Sequence, residues 1–471
     1  MKAKLPTNLI LTILGILAAV GAGFVIAKFG TLSLAIIPLL AIAILLGVYL
    51  FKNPFLGFLL IIFFLPFERV PTYLVGGVNI KINTILGFVT LFTWLLALIF
   101  NPKKWKVQPN ILAIPISLFI IALLLSLTQA VNLDRSIQVL IFILFTIALS
   151  VFSVNMIDGV DRLKKTIYVV FFSSLVVGLF GLIQFGGDVI GLPKSITLLK
   201  EGYTSKIFGF PRIQAFSMEP LYYANYLLIP ISLAIAYFLG RVKLIKHWWL
   251  IGLLALLLIN FVLTVSRGGY IGLLATLAVF VAAFLRRFIT WRNLGIVVIL
   301  ALVYFGVTFA LSQSENRAMR EFLGHVTLKD LSRGESIVGR LRAYDVAEGA
   351  FLKNPILGIG IGNYGPYVKG YPNQPPKTGW DIVNNQYLEL AAEAGLVGVV
   401  AFGLIFLVII LRSFVALKVT KDPFLRATLI GLLAALIGIL VQYNFFSTLY
   451  IIHIWVVIGL LVGAQNLAFK K

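Results

Sequence analysis

The sequence contains no cysteine and only three histidines, and acidic residues are scarce. A chain without cysteine can form neither disulfide bonds nor thiolate metal sites. The histidines, His247, His325 and His453, are far apart, and no two of them have the spacing of metal ligands. The sequence therefore predicts no metal site.

Charged residues make up only 12% of the 471 residues, whereas 60% are hydrophobic. Soluble domains carry about twice that share of charge. Apolar runs long enough to cross a bilayer recur from one end of the chain to the other, and such runs predict membrane helices. The expected fold class is an all-α polytopic membrane protein with about 12–14 transmembrane helices. Its loops elaborate a single membrane domain.

The apolar runs and two long polar stretches divide the chain into five regions. These are N-terminal transmembrane helices at 1–187, a first extracytoplasmic loop at 188–219, middle helices at 220–311, a large extracytoplasmic loop at 312–385 and C-terminal helices at 386–471. In the large loop, apolar residues at helical spacing predict a surface helix at Gly339–Leu352. The membrane helices are predicted at Asn8–Ala27, Leu32–Phe51, Phe55–Phe67, Thr84–Phe100, Ile111–Leu127, Ser136–Ser153, Thr166–Phe185, Pro220–Phe238, Trp248–Val265, Tyr270–Leu285, Leu294–Leu311, Gln386–Leu411, Ala427–Gln442 and Leu449–Ala464.

Basic residues outnumber acidic ones by 39 to 17, which gives a net charge of +22. In a soluble protein this excess would suggest nucleic acid, but here the basic residues concentrate in alternate short segments. Positively charged flanks stay in the cytoplasm, so both termini are predicted inside and both long loops outside. The charge thus reflects topology and attraction to anionic lipids, not nucleic acid. The short loops on the opposite side hold only Lys28, Arg69, Lys81, Arg135 and Arg267.

The first outer loop ends in a candidate anion site. Arg212 and Glu219 lie near Pro220, where a membrane helix is predicted to begin. Free N–H groups and the helix dipole favour phosphate at such an end, and the carboxylate beside it could act as an acid or a base. The alternative is an interfacial pair of Arg212 and Glu219, with Pro220 as an ordinary first-turn residue. These residues alone leave both interpretations open.

Two glycine-containing segments have structural interpretations. Residues 264–269 predict a tight turn between two helices, with the Arg267 side chain reaching the interface. The run at 354–364 contains Gly358, Gly360 and Gly362 but lacks the spacing of a dinucleotide site. It is interpreted as flexible backbone packed near a ligand.

A polar segment opens the helix that follows the large loop. Asn384 precedes Glu389, Glu393, Gly395 and Gly398. The glycines share a helix face and permit close helix packing, and a helix start tolerates carboxylates because of its dipole. Two glutamates near the membrane surface are nevertheless candidates for chemistry.

In combination these segments resemble the O-antigen ligase and polymerase family. That family has an arginine followed by an aromatic residue, which here are Arg340 and Tyr344. It then has a Pro-x-x-Gly-x-Gly stretch, here 355–360, and a His-[Asn/Ser/Gln]-x9-Gly-x-x-Gly segment, here 384–398. The best match covers 339–398. Further similarities lie in Ser266-Arg267-Gly268 and in the Arg212 region before Ala224-Asn225-Tyr226-Leu227.

The resemblance implies a GT-C-type membrane fold and a glycan donor carried on undecaprenyl diphosphate. It implies transfer to a hydroxyl of an acceptor glycan or glycolipid, at the outer face of the bacterial cytoplasmic membrane, without nucleotide sugar, metal or other cofactor. By the same resemblance Arg212 and Arg340 would hold the diphosphate, because a guanidinium presents a fixed fork of donors. Arg267 and Arg342 are further candidates for this role.

One departure from the family pattern concerns the base. The family's ligase histidine falls on Asn384, and an amide can position an acceptor but cannot take its proton at neutral pH. Glu219 is therefore the first candidate for the base, beside Arg212, and Glu393 and His325 follow. The departure favours a polymerase or related transferase over a ligase.

Two other functions remain as alternatives. A transporter or flippase of lipid-linked glycans would need inverted repeats and interrupted helices at the midplane, and the sequence shows neither clearly. Oligosaccharide transfer onto protein would use the same class of donor with a different acceptor.

Overall fold

The computed structural model describes residues 47–69, 72–75, 78–100, 107–284, 335–371, 373–376 and 379–470. One antiparallel hairpin, β1 (Thr72–Val75) and β2 (Val78–Lys81), pairs Thr72 with Lys81. The helices are α1 (Pro54–Phe64), α2 (Ile82–Phe100), α3 (Ala113–Ser126), α4 (Leu133–Met156), α5 (Val160–Val189), α6 (Lys194–Thr197), α7 (Ser205–Phe208), α8 (Pro220–Gly240), α9 (His247–Leu263), α10 (Arg267–Ala283), α11 (Glu335–Lys353), α12 (Tyr364–Lys369), α13 (Gln386–Val419), α14 (Pro423–Gln442) and α15 (Ile452–Phe469).

Seven of the described helices are long and apolar enough to cross a membrane, and four shorter ones are also apolar. The prediction of a polytopic all-α membrane protein is thereby confirmed. The predicted helices that fall within the described residues are all present, and Gly339–Leu352 lies within α11. Asn8–Ala27, Leu294–Leu311 and most of Leu32–Phe51 lie outside the described residues, so the predicted total stays a prediction.

The chain separates into two compact units, of which the smaller includes residues 47–57 and 89–100 and the larger includes 58–88 and 107–470. In the smaller unit Gly57 lets α1 approach α2, since a Cβ at Gly57 would lie 2.5 Å from the Thr90 side chain. All the residues discussed below belong to the larger unit.

Three helices form the centre of the larger unit. The apolar stretches of α8 and α14 are 78% buried and that of α15 is 83% buried, whereas that of α13 is 44% buried. A helix that is apolar on every side is stable only when other helices surround it. Small residues allow the close approach, because a Cβ at Gly459 of α15 would lie 2.3 Å from the Ser150 carbonyl oxygen of α4.

The loops of the larger unit gather at two ends of the bundle. At one end, here called the loop end, Val131 donates to the Ile359 carbonyl at 3.3 Å, and Tyr344 Oη donates to the Asn444 carbonyl at 3.5 Å. At the other, here called the basic end, Arg412 donates to Asn466 Oδ1 at 2.8 Å. The loop end contains residues 65–69, 127–132, 190–219, 264–266, 354–371 and 443–451. The basic end contains Arg162, Lys164, Arg412, Lys418, Arg426 and Lys470.

Candidate functional site

Arg212 is held at the loop end by backbone on two sides. Its amide donates to the Tyr203 carbonyl at 2.9 Å, and its Nη2 donates to the Val265 carbonyl at 3.0 Å. The guanidinium carbon lies 5.7 Å from the centre of the Tyr203 ring, a cation–π geometry. Burial lowers the pKa of Arg212; Glu219 opposes this shift and Arg267 adds to it, so both lie within electrostatic range of Arg212.

Other basic side chains surround this point. Burial lowers the pKa of Lys200, an effect that Glu219 opposes and Arg69 strengthens. The Arg69 Nη2 donates to the Leu198 carbonyl. The described residues thus bring a group of cations around one exposed carboxylate, that of Glu219. We call this group the anion region; it consists of Arg69, Lys200, Arg212 and Arg267.

Glu219 begins α8 as its N-cap residue, with Pro220 in the first turn. Its carbonyl accepts the Tyr223 amide at 3.1 Å, but its side chain makes no capping hydrogen bond. Arg212 and Glu219 thus lie within electrostatic range of each other, and Glu219 lies at the N-terminus of α8; their predicted roles stay predictions. The exposed carboxylate is not used to complete the helix.

The turn before α10 requires glycine for packing. Ser266 caps the helix by accepting the Gly269 amide at 3.2 Å. A Cβ at Gly268 would lie 2.7 Å from Phe445, and a Cβ at Gly269 would lie 2.9 Å from Ala224. The predicted tight turn thus explains the two glycines, and it brings Arg267 to the anion region.

The glycine run packs against a kink in α13. Gly395 interrupts the helix with φ 63° and ψ −167°, and the freed Leu396 amide donates to the Pro355 carbonyl at 2.9 Å. Gly358 and Gly360 also have positive φ, and a Cβ at Gly358 would lie 2.3 Å from the Glu393 backbone. The run is therefore ordered by backbone pairing, which gives its glycines a structural reason that the sequence did not reveal.

Glu393 holds this run in place. Its Oε2 accepts the Gly362 amide at 2.8 Å, and its Oε1 accepts the Tyr364 amide at 2.9 Å. Because both oxygens are already engaged, Glu393 serves the loop better than it would serve as a base. The nearby Glu389 accepts the Val383 amide at 2.7 Å through its Oε2.

A small polar cavity lies beside these glutamates, with a volume of about 40 Å³. Arg135 of α4 lies within electrostatic range of both carboxylates. Gln386 is 2% exposed, and within the described part of the chain its Oε1 has no hydrogen-bond partner. The volume admits water but no sugar ring. The wall is formed by Arg135, Val139, Ile361, Gly362, Gly365, Trp380, Asp381, Ile382, Gln386, Glu389, Glu393 and 447–450.

A larger open groove of about 730 Å³ adjoins this cavity, with Asp381 and Ile382 as common wall. Arg342 of α11 and Tyr367 of α12 line it. Lys369, also in the wall, forms an ion pair with Asp381 at 3.2 Å. Its size suits a ligand of several sugar rings. Arg342 thus lines this groove, and its diphosphate role stays a prediction.

Arg340 is half-buried on α11 and shares a helix face with Tyr344, one turn later. Tyr344 contacts Asn444, whose neighbour Phe445 covers Gly268. This face of α11 is therefore directed towards the helix that begins with Arg267. The proximity of Arg340 to the anion region and its diphosphate role both stay predictions.

Part of the chain is similar to a known family. The model of the O-antigen ligase family matches residues 252–403. The resemblance to the O-antigen ligase and polymerase family is confirmed. The matched segment includes Arg267, Arg340, Arg342, Asn384 and Glu393, whereas Arg212 and Glu219 precede it. No curated protein matches the chain. The family supports a glycosyltransferase-like function on a lipid-linked glycan.

Asn384 stands where the O-antigen ligase pattern has histidine, and its backbone is left-handed with φ 59°. Asparagine, aspartate and histidine adopt this conformation more readily than other residues with a side chain. The local backbone therefore explains why asparagine can replace histidine here. It does not supply a base.

The sequence missed Arg135, Glu68 and the role of His453, all of which lie at the loop end. Basic residues are rare on the predicted outer side, and this rarity could have marked four of them as candidates for the site: Arg69, Lys81, Arg135 and Arg267. His325 lies outside the described residues. Among the described residues no cluster of three histidines or acids is arranged to hold a metal ion, and a metal-independent reaction stays a prediction.

Proposed function

We propose that this protein transfers or polymerises a glycan from an undecaprenyl-diphosphate-linked donor onto an acceptor hydroxyl at the loop end. The observation that carries this proposal is the meeting of Arg212, Arg267 and Glu219 at the start of two helices, within a chain that matches the O-antigen ligase family. Guanidinium groups bind phosphate through several charge-assisted hydrogen bonds.

In the proposed reaction the acceptor oxygen attacks the anomeric carbon of the donor sugar, and the bond from that carbon to the phosphate oxygen breaks. The lipid diphosphate leaves with the bonding electrons, and Arg212 and Arg267 stabilise the growing charge. The hydroxyl proton passes to a carboxylate. Glu219 is the first candidate because it lies in electrostatic range of Arg212 and makes no capping bond.

The outer groove is proposed to hold the glycan. It has aromatic, cationic and acidic side chains, and it opens beside the polar cavity of Glu389. Sugar rings have apolar faces that pack on tyrosine and hydroxyls that pair with charged groups. In this arrangement Arg342 contacts sugar, while Arg340 faces the lipid diphosphate with Arg212.

A transfer assay tests the function. The purified protein in liposomes should convert an undecaprenyl-diphosphate-linked glycan and an acceptor glycan into an extended product, with release of the lipid diphosphate. Product formed only from a nucleotide sugar would contradict the donor class. Movement of intact donor across the bilayer, without product, would instead favour the transporter.

The sidedness of the site is a separate prediction. Reporter fusions at Asn373 should be active outside the cytoplasm, and fusions at Arg162, Lys243 and Lys418 should be active inside, because basic short segments stay in the cytoplasm. A cytoplasmic signal at Asn373 would contradict the proposed extracytoplasmic reaction.

A further inference from the structure

A network of buried polar side chains lies beneath the anion region. The Glu68 Oε1 lies 3.7 Å from His453 Nδ1, and His453 Nε2 lies 2.7 Å from Asn225 Oδ1. The Asn225 Nδ2 donates to Gln442 Oε1 at 2.6 Å, and the Gln442 Nε2 donates to the Gly269 carbonyl at 3.4 Å. The network thus connects the segment after α1 with α15, α8, α14 and α10.

The direction of these hydrogen bonds determines the histidine tautomer. Asn225 uses its amide nitrogen towards Gln442, so its oxygen must accept. His453 therefore carries a hydrogen on Nε2, and its Nδ1 lone pair faces Glu68. Among the described residues Nδ1 has no hydrogen-bond partner.

The two facing groups, 3.7 Å apart, attract each other only if one of them carries a proton. His453 is fully buried and Glu68 is 6% exposed, so water cannot screen a carboxylate that faces a lone pair. A proton on Glu68 or on Nδ1 converts the repulsion into attraction.

The charged and titratable groups around the pair can be named. Burial raises the pKa of Glu68, while Lys81 and the Met218 amide oppose this shift. The Tyr226 ring lies 6.0 Å from the His453 ring, and Tyr222 lies within electrostatic range of Glu68.

Both ends of the network contact segments that bear arginines of the anion region. The amides of Glu68 and Arg69 donate to the Phe216 carbonyl at 3.1 and 2.9 Å, and the Glu68 carboxyl group accepts the Met218 amide. These contacts hold the segment that carries Arg212 and Glu219. At the far end, Gly269 lies in the first turn of the helix that begins with Arg267.

We propose that Glu68 and His453 share one proton and are positioning residues for the anion region. The shared proton keeps the buried network intact, and the network positions the Arg212 segment relative to the start of α10. The ligand of that region rests on the proposed function, but the proton and the positioning do not.

Nitrogen-15 NMR of histidine tests the shared proton. The double variant His247→Gln with His325→Gln leaves His453 as the one histidine in the chain. Its Nε2 should be protonated at neutral pH, and its Nδ1 resonance should lie between the protonated and bare positions. In Glu68→Gln the Nδ1 resonance should shift to the position of a nitrogen that has no proton, or of one that accepts a hydrogen bond from the glutamine amide. An identical Nδ1 resonance with and without the carboxyl group would overturn the proposal.

Hydrogen exchange tests the positioning without any ligand. Glu68→Gln and the milder His453→Gln should speed amide exchange in 213–218. The matched control is Tyr237→Phe, which removes a buried 2.8 Å hydrogen bond to Thr428 between the same helices, α8 and α14, that Asn225 and Gln442 join. Unchanged exchange in 213–218 for both network variants would refute a positioning role, as would an equal increase in the control.

Binding of farnesyl diphosphate tests the consequence for the anion region. Glu68→Gln should weaken binding by up to about a hundredfold, since a small displacement of a binding group has effects of that order. Tyr237→Phe should bind as the parent does. If the parent protein fails to bind the probe, the proposed donor is wrong, while the NMR and exchange results still decide the role of the network.

Discussion

Two helices of the bundle begin with the same pair of residue types, an acid followed by proline, and they begin at opposite ends. At the basic end Asp422 caps α14, since its Oδ1 accepts the Leu425 amide at 3.0 Å. At the loop end Glu219 precedes Pro220 but makes no capping bond. Both side chains are exposed. One acid therefore completes its helix through a side-chain cap, whereas the other does not.

The same contrast holds for two half-buried arginines. Arg412 at the basic end donates to Asn466 at 2.8 Å and lies 5.1 Å from the Phe469 ring. Arg212 at the loop end has a similar hydrogen bond and ring contact, but Glu219 and Arg267 also act on it. Like charges are costly to bring together, and the proposed anionic donor would offset this cost at the loop end.

The largest effect is expected at the two acids. Glu219→Gln should reduce transfer by about 100- to 10,000-fold if its carboxylate is the general base, whereas Asp422→Asn should leave the rate near that of the parent. Rates measured with saturating donor and acceptor provide the comparison. Full activity of Glu219→Gln, with a loss in Glu389→Gln, would move the base to the polar cavity.

A smaller loss is expected at the two arginines. Arg212→Ala should weaken donor use by about ten- to a hundredfold, which corresponds to roughly 1.5–3 kcal/mol for a charge-assisted hydrogen bond. Arg212→Lys should recover only part of it, because an ammonium cannot reproduce the bidentate contact. The measurement is kcat/KM for the donor, with Arg412→Ala as the control. Equal losses at both positions would mean that the effect is structural.

An effect of a few-fold is expected at two residues with left-handed backbone. Asn384 has φ 59° at the loop end, and Arg241 has φ 55° after α8 at the other end. Asn384→Gly keeps the backbone but removes the amide, so the KM for acceptor should rise about three- to tenfold, the value of one hydrogen bond. Arg241→Gly should not change it. An unchanged KM in Asn384→Gly would assign this residue a backbone role only.

The smallest effect concerns stability. Asp422→Ala should lower the free energy of unfolding by about 1 kcal/mol through loss of the cap, while Glu219→Ala should lower it by much less. Thermal unfolding in the same detergent measures both. A larger loss for Glu219→Ala would show that its carboxylate stabilises the helix after all, and the contrast between the two ends would disappear.

The sequence by itself determined the membrane class, the positions of the described membrane helices and the resemblance to the O-antigen ligase family. These depend on local properties: apolar runs specify helices, and the order of Arg340, Tyr344, the glycine run and 384–398 carries the resemblance to the family. The tight turn before α10 was likewise predictable from Ser266, Gly268 and Gly269, because neighbouring residues in the sequence are enough to specify a turn.

The tertiary structure decided which of these residues share a site. Glu68 and His453 are far apart in the chain, and neither has a motif, so no spacing could join them. Arg342 belongs to a groove and Arg135 to a cavity because helices from distant parts of the chain pack side by side. The hydrogen bonds and the burial of these residues depend on such tertiary neighbours. Residues that are distant in the sequence leave no local pattern from which these contacts could be predicted.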